Sequence, residues 1–193
     1  MMKGHTNRLL LQPLTAADAP AIQQLFPHWE IVQYMLNRVP WPYPANGAEQ
    51  FVRAVALPAM AREEAWHWTL RLHTEPDAVI GVLSLLRGER NNRGFWLGLP
   101  WQGQGLMTEA AAWANDVWFD RLGFALLRVG KAHANRASRR ISEKHGMRPV
   151  ECFEEEFVCG RMEAEIWELT ADEWHARRRR QMAPPATLPA ADV

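Results

Sequence analysis

The sequence predicts a single α/β domain in which helices flank a central, mixed but mostly antiparallel sheet, and three observations carry this. Trp66, Trp68, Leu70 and Leu72 alternate with His67, Thr69, Arg71 and His73, the period of a strand. Ala110, Trp113, Ala114, Val117 and Trp118 recur at the spacing of one apolar helical stripe. A Gly-rich turn at 102–105 enters that helix, and a strand-like segment, 125–131, follows it. The order strand, turn, helix, strand predicts a crossover between parallel strands.

From the N-terminus, Leu9, Leu11 and Leu14 suggest an opening strand. Thr15 to Asp18 resembles a capping box with Asp in place of Glu, and Ile22, Leu25 and Phe26 continue at helical spacing until Pro27. Trp41-Pro42-Tyr43-Pro44 reads as a rigid aromatic loop, since each Pro biases its predecessor to extended geometry. A helix from about Ala48 should end or kink at Pro58. After the alternating strand, Glu75-Pro76-Asp77 is a turn, Val79 to Leu85 an antiparallel partner strand, and Gly94 to Leu97 a short further strand. Gly123 closes the amphipathic helix. Asn135 and Gly146 bound a short helix as cap residues, and 152–158 with 162–169 form a hairpin around Gly160. His67 and His73 read as outward strand residues, and Trp113 and Trp118 as core. The domain is expected to occupy residues 1–175. Residues 176–193, with the basic run Arg177 to Arg180 and three prolines among alanines, are expected to be a disordered tail.

The composition excludes several function classes. Apolar residues make up 48% and charged residues 23% of the 193, ordinary for a globular chain. Lys and Arg total 22, as do Asp and Glu, so no global charge favours nucleic acid or an anionic membrane. The N-terminus lacks the apolar run of a signal peptide, and no stretch reaches the roughly 20 apolar residues that span a bilayer, so a cytoplasmic location is expected. The two cysteines, Cys152 and Cys159, form no C-x-x-C pair, so no metal site is expected, and a disulfide across the hairpin is disfavoured in such a compartment.

The chemistry centres on Gln102-Gly103-Gln104-Gly105-Leu106-Met107-Thr108. Gly103 and Gly105 permit positive φ and close backbone approach, and the turn feeds a helix N-terminus. The unpaired N–H groups and dipole of that terminus suit a pyrophosphate. A tight strand–helix turn is the plain alternative. A second element, Asn135-Arg136-Ala137-Ser138 through Glu143-Lys144-His145-Gly146, opens and closes the following helix.

Together these two elements resemble the GNAT superfamily of N-acetyltransferases, the first looking like its pyrophosphate loop, Q/R-x-x-G-x-G/A. Thr108-Glu109-Ala110 and the Asn135, Ser138, Glu143, Lys144, Gly146 pattern resemble the ribosomal-protein-alanine N-acetyltransferase-like branch. So do the opening Arg8 to Thr15 with Asp18-Ala19, then Trp68, Gly81-Val82, Trp96-Leu97-Gly98, and the ending Trp167 to Thr170 with Glu173-Trp174. The resemblance runs from about residue 6 to 175. Met107 departs from the usual Gly or Ala, so its side chain either crowds the loop or enters the helix–sheet interface. Ser142 stands where many relatives carry an acidic tyrosine, and neither Tyr34 nor Tyr43 lies on this helix.

The resemblance implies a splayed sheet and direct attack of a neutral amine on the thioester of acetyl-CoA, without a metal. Backbone N–H groups near Trp96 to Leu99 would polarise the carbonyl. It implies cofactor contacts at Leu97, Gln102, Gly103, Gln104, Gly105, Leu106, Met107, Thr108, Asn135, Ser138, Arg140 and Lys144. Ser138 is the first candidate to assist the leaving thiolate and Ser142 the second; a hydroxyl acts there by hydrogen bonding or by relaying a proton from water. For Ser138 the alternative is a helix-capping role, and for Arg140 and Lys144 a solvated helix charge. Glu109 reads as a first-turn carboxylate favoured by the dipole. The base is open: Glu154, with Glu155 and Glu156, lies on a strand bordering the acceptor side, and His133 is the runner-up. Trp41 and Tyr43 are expected to wall the acceptor pocket, with core packing as the alternative. The acceptor is expected to be a protein N-terminus, with a small-molecule amine and a non-catalytic acyl-CoA-binding role as alternatives. Homodimer formation is left open.

Overall fold

A computed structural model describes residues 2–182. Strands β1 (Gly4–His5), β2 (Leu9–Pro13), β3 (Ala65–Leu72), β4 (Gly81–Leu86) and β5 (Arg93–Leu97) pair in sequence order as an antiparallel five-stranded sheet. Strands β6 (Leu126–Ala132), β7 (Arg148–Phe157) and β8 (Gly160–Thr170) form a second, three-stranded antiparallel sheet with β8 in the middle. The mixed α/β class is as expected, and the crossover helix α5 (Leu106–Asp116) links the two sheets.

Backbone hydrogen bonding joins the two sheets at one place. Asn92, just before β5, gives its N–H to Arg128 O at 2.7 Å and accepts the Arg128 N–H on its side chain at 2.8 Å. The same side chain bonds the carbonyls of Leu86 and Gly88, which anchors the junction to the β4–β5 turn. Past this point β5 and β6 part, so the strands joined by the crossover do not form a continuous ladder.

The apolar stripe of α5 and of the π-type stretch that continues it (Val117–Arg121) explains its seat. Ala110, Ala114 and Trp118 are essentially inaccessible, and Trp118 satisfies its indole N–H on Leu126 O at 2.9 Å. Trp113 meets Trp68 edge-on at 5.1 Å. Each such aromatic removed from water contributes on the order of 2–3 kcal/mol. Ahead of α1 (Ala19–Leu25), the Asp18 carboxylate accepts the Thr15 N–H and hydroxyl at 2.8 and 2.9 Å, the capping-box geometry. A short helix, α2 (Trp29–Val32), follows beyond Pro27.

Three expectations are corrected. The helix that Pro58 should end or kink runs on as α3 (Gly47–Gln50), a widened π-type stretch (Phe51–Ala56) and α4 (Leu57–Ala61). Leu57 reaches back five residues to Val52 O, and this wider turn makes room for the proline ring. Second, His67 is buried rather than outward, because Phe51 covers it edge-on at 5.8 Å and Ser84 Oγ lies 2.7 Å from its Nδ1. Third, residues 176–182, expected in the tail, are the end of α7 (Ala171–Met182), anchored by buried Trp174 on Asp116 at 2.8 Å. The rest of that expected tail, 183–193, lies outside the described residues. Cys152 and Cys159 are both free.

Candidate active site

Where β5 and β6 diverge, a cavity of about 450 Å³ opens. One wall is Phe95 to Leu97 of β5; the opposite wall is Asn135 to Ser138, at the start of helix α6 (Arg136–Lys144). Both strands thus run toward the cavity, and their parting creates it. Gly98 gives its N–H to Ile80 O on the β4 side at 2.8 Å. By strand alternation the N–H groups of Leu97 and Phe95 turn the other way, toward the gap.

The floor is the Gly-rich turn. Gly103 and Gly105 take φ of +74° and +77°, left-handed values that favour glycine, and nothing lies within 4 Å of a Cβ built at Gly103. The turn ends on α5, whose first N–H groups, Leu106 to Thr108, have no partner within the helix. This open cradle at a helix N-terminus fits a pyrophosphate. Two bonds hold it in shape: Gln102 Nε2 to Leu97 O at 2.8 Å, and Gln104 Nε2 to Pro100 O at 2.9 Å. A further clamp escaped the sequence reading. Arg8 bonds Glu109 Oε2 at 2.8 Å and Gln104 O at 2.9 Å, tying the start of β2 to the turn. Glu109 also accepts the Arg8 N–H and the Thr6 hydroxyl; these bonds keep its carboxyl ionised below the ordinary range despite partial burial.

Most of the expected cofactor residues converge on this cavity: Leu97, Gln102, Gly103, Gly105, Leu106, Met107 and Thr108 from one side, Asn135, Ser138, Arg140 and Lys144 from the other. Gln104 does not line it; its side chain folds back on Pro100. Met107 leaves the loop uncrowded, because its side chain is buried in the interface between α5 and the sheet. Asn135 caps α6 by accepting the Ser138 N–H at 3.0 Å, so capping and cavity wall are one feature.

Other candidates fall elsewhere. Ser142 is fully buried behind the cavity, where its hydroxyl meets the Lys131 ammonium, a group whose pKa burial and nearby Arg93 push well down. His133 points away and holds Glu165 at 2.7 Å. Glu154 is exposed and lies 3.4 Å from Arg161; Glu155, one residue on, shares the inward face with Phe153 and Phe157. Trp41 and Tyr43 do not line the cavity. Tyr43 packs edge-on against Phe26 at 5.2 Å, and half-exposed Trp41 lies against Trp29 at 5.7 Å. The cavity is lined instead by residues of α2 and the turn after it, Glu30, Ile31, Tyr34 and Met35. Sequence reading missed this wall because α2 spans one turn, too short to leave a period. Among the described residues no cluster of His, Cys, Asp and Glu could hold a metal, and no helix is long and apolar enough to cross a membrane.

A strand-parting cleft ending on a glycine turn and a helix N-terminus defines a protein that seats an acyl-CoA thioester in an extended groove. Residues 8–148 match the family model of the acetyltransferase (GNAT) domain, and the chain belongs to that family. It is an acetyltransferase with acetyl-CoA as cosubstrate. Its fold is similar to that of the ribosomal-protein-S5-alanine acetyltransferase from Vibrio fischeri, with TM-score 0.76 and 15% identity over 90% of this chain and 99% of that one. A RimL ribosomal L7/L12 α-N-protein acetyltransferase in complex with coenzyme A gives TM-score 0.72 and 19% identity, covering 87% and 97%. The microcin C7 self-immunity acetyltransferase MccE, in complex with acetyl-CoA and AMP, gives 0.71 and 15%, covering 85% and 93%. A comparison with curated protein sequences found no match.

Proposed function

We propose that this acetyltransferase acts on the α-amine of a protein or peptide N-terminus. The observation that carries the reading is the rim of the acceptor end. Glu30 is the one carboxylate lining the cavity, and it has no ion-pair partner among the described residues. Beside it in the chain, Trp29 pairs with Trp41, each 42% exposed. An anionic rim attracts an ammonium group. An exposed aromatic pair next to it suits residues that continue beyond the reacting amine, which a small amine lacks. Trp41 thus serves outside the cavity, not as its wall. The ribosomal-protein acetyltransferases of similar fold support the same substrate class, whereas MccE leaves small molecules as the competing outcome.

In this reading the amine nitrogen bonds the acyl carbon, the carbon–sulfur bond breaks, and sulfur leaves with the electron pair. The N–H groups of Phe95 and Leu97 face the developing oxyanion, and the Ser138 hydroxyl donates to the departing sulfur. An α-amine with pKa about 8 yields its proton to water without a strong base. The two free cysteines accord with a cytoplasmic location.

Intact-mass measurement of acetyl transfer to peptides and to polyamines, aminoglycosides and simple amines tests the acceptor class. Peptides of at least three residues should react best, and Trp29→Ala should raise the peptide KM without changing that of acetyl-CoA. Preferential acetylation of small amines, unaffected by Trp29→Ala, would overturn the peptide assignment.

A further inference from the structure

Two buried cations, neither of them part of the acyl-transfer steps above, occupy the closed end of the cleft. β5 and β6 are joined at Asn92 and Arg128 and part beyond them. Just past the junction Arg93 opens β5, and Lys131 lies on β6. Arg93 is 2% and Lys131 6% exposed, so both side chains sit in the interior. Each stands behind a wall of the cavity. The Arg93 guanidinium lies 6.0 Å from the ring centre of Phe95, which lines the β5 wall. Lys131 Nζ lies 3.5 Å from the carbonyl oxygen of Ser138, which lines the opposite wall.

The polar partners of these cations are neutral. Arg93 donates to the side-chain oxygen of Asn115 on α5 and approaches Met147 Sδ at 3.6 Å. Lys131 bonds the Ser142 hydroxyl and lies 5.2 Å from the ring centre of Trp167. Glu165, opposite Lys131 in the register of β8, is committed to His133 at 2.7 Å, to the Trp167 indole at 2.8 Å and to Arg139 at 3.1 Å. Glu143 on α6 is exposed, and His145 is neutral, its pKa drawn down to about 3 by burial and neighbouring cations. Among the described residues neither Arg93 nor Lys131 has a carboxylate partner. A positive charge held in the interior without a counter-ion raises the energy of the resting protein, and it lowers that of a negative charge formed nearby.

Acyl transfer forms negative charge between these walls. When the amine nitrogen bonds the acyl carbon, the thioester oxygen gains charge; when the carbon–sulfur bond breaks, sulfur leaves with the electron pair as a thiolate. We infer that Arg93 and Lys131 form a positive pair behind the two walls that favours the thiolate of coenzyme A over its thiol. The inference rests on the thioester lying between the walls and is independent of which amine is acetylated. Neither cation touches the reacting atoms, so both are positioning residues. They set the field in which the Phe95 and Leu97 N–H groups and the Ser138 hydroxyl act. The two differ in how they hold their charge. Burial draws the Arg93 pKa down to about 10, so Arg93 stays charged at neutral pH. Burial and the Arg93 charge draw that of Lys131 well below the ordinary lysine value, so its proton is loosely held. A thiolate between the walls favours the ammonium form, and Lys131 takes up a proton from water as the thiolate forms.

Ultraviolet titration of the full chain with coenzyme A, referenced to its complex with desulfo-coenzyme A, reads the ionisation of the bound thiol without turnover or acceptor. The bound thiol should ionise at least about one pH unit below that of free coenzyme A. Lys131→Met and Arg93→Met should each raise the bound value by about half a unit or more, roughly a threefold change in the thiol–thiolate equilibrium, and lower kcat at neutral pH by a similar factor. Arg93→Lys, which keeps the charge, should restore most of the shift. Removing a buried unpaired charge favours the fold, so the melting temperature of Lys131→Met should stay level or rise while kcat falls. A merely structural role would lower both together. A bound thiol that ionises at or above the free value, or an unchanged value in folded Lys131→Met, would overturn the inference and leave the acceptor proposal standing. Preferential acetylation of small amines with the thiol shift preserved would strike the acceptor proposal alone.

Discussion

Ser138 gives its backbone N–H to the side-chain oxygen of Asn135 at 3.0 Å, the cap at the start of the helix from which Ser138 faces the cavity. The helix cap and the proposed sulfur contact are therefore coupled. Ser138→Ala keeps the backbone bond and removes only the hydroxyl. It should lower kcat by about tenfold to a hundredfold, the worth of one hydrogen-bond donor to a leaving group, with the acetyl-CoA KM within about threefold. Asn135→Ala removes the cap, and should cost about 1 kcal/mol in urea unfolding besides lowering kcat. A silent Ser138→Ala would reduce Ser138 to a helix-start residue.

Gly105 sits at φ +77° with its would-be Cβ 3.6 Å from an Arg8 nitrogen. Gly105→Asp places a carboxylate over the phosphate cradle and strains the turn. Acetyl-CoA affinity should fall by well over tenfold, about 1.4 kcal/mol or more. Calorimetry beside a melting curve checks that the loss exceeds any unfolding, and unchanged affinity in a folded variant would remove the turn from the site.

Burial of neutral imidazoles gives a stability profile with a definite sign. His67 is drawn from an ordinary 6.5 to about 4, and His145 from 6.5 to about 3. Below pH 6.5 the unfolded chain takes up protons that the folded chain refuses, so stability is full above that pH and is lost as pH falls toward these lower values. Two such groups together give a slope of roughly 2–3 kcal/mol per pH unit near pH 5. Urea midpoints at pH 7.5 and 5 measure it. His67→Asn, whose amide can meet Ser84, should remove about half of this slope; an identical slope would show that His67 titrates freely.

Tyr43 is a packing residue. Its ring lies on Phe26, and a Cβ at Gly47 would come within 2.7 Å of it. Tyr43→Ala should cost about 1–3 kcal/mol and leave the KM of acetyl-CoA and of the amine unchanged in the folded fraction. A change in acceptor selectivity without a fall in melting temperature would return Tyr43 to the acceptor site.

The sequence carried the features whose signal is local. The alternation at Trp66 to Leu72, the stripe from Ala110 to Trp118 and the glycines of the turn each act through their own backbone, and each element stands where its pattern places it. Features that depend on what packs from elsewhere were not legible. His67 alternates like an outward residue, but Phe51 arrives from a distant helix to cover it. Glu154 and Glu155 are indistinguishable as letters, and only strand register turns the second inward. Ser142 occupies a helical position one turn from Ser138, yet that face meets Lys131 instead of the cavity. The run Arg177 to Arg180 reads as solvated charge until α7 is seen lying against the ends of α5 and α6.

Asn92 has a bearing on how the molecule comes apart. Strands β1 to β5 are ordered in the sheet as they occur in the chain, while β6 pairs with β8 across the intervening α6 and β7. Backbone-to-backbone hydrogen bonding between the two sheets is the one bond from the Asn92 N–H to Arg128 O, the other crossings being side chains such as Arg90 to Glu151, so backbone cooperativity stops at the seam. Amide protons of the two sheets should therefore exchange as two separately opening units. Coenzyme A, lodged across the seam, would act as a splint that merges them, slowing exchange in β6 and β8 even though most of their amides lie far from the ligand.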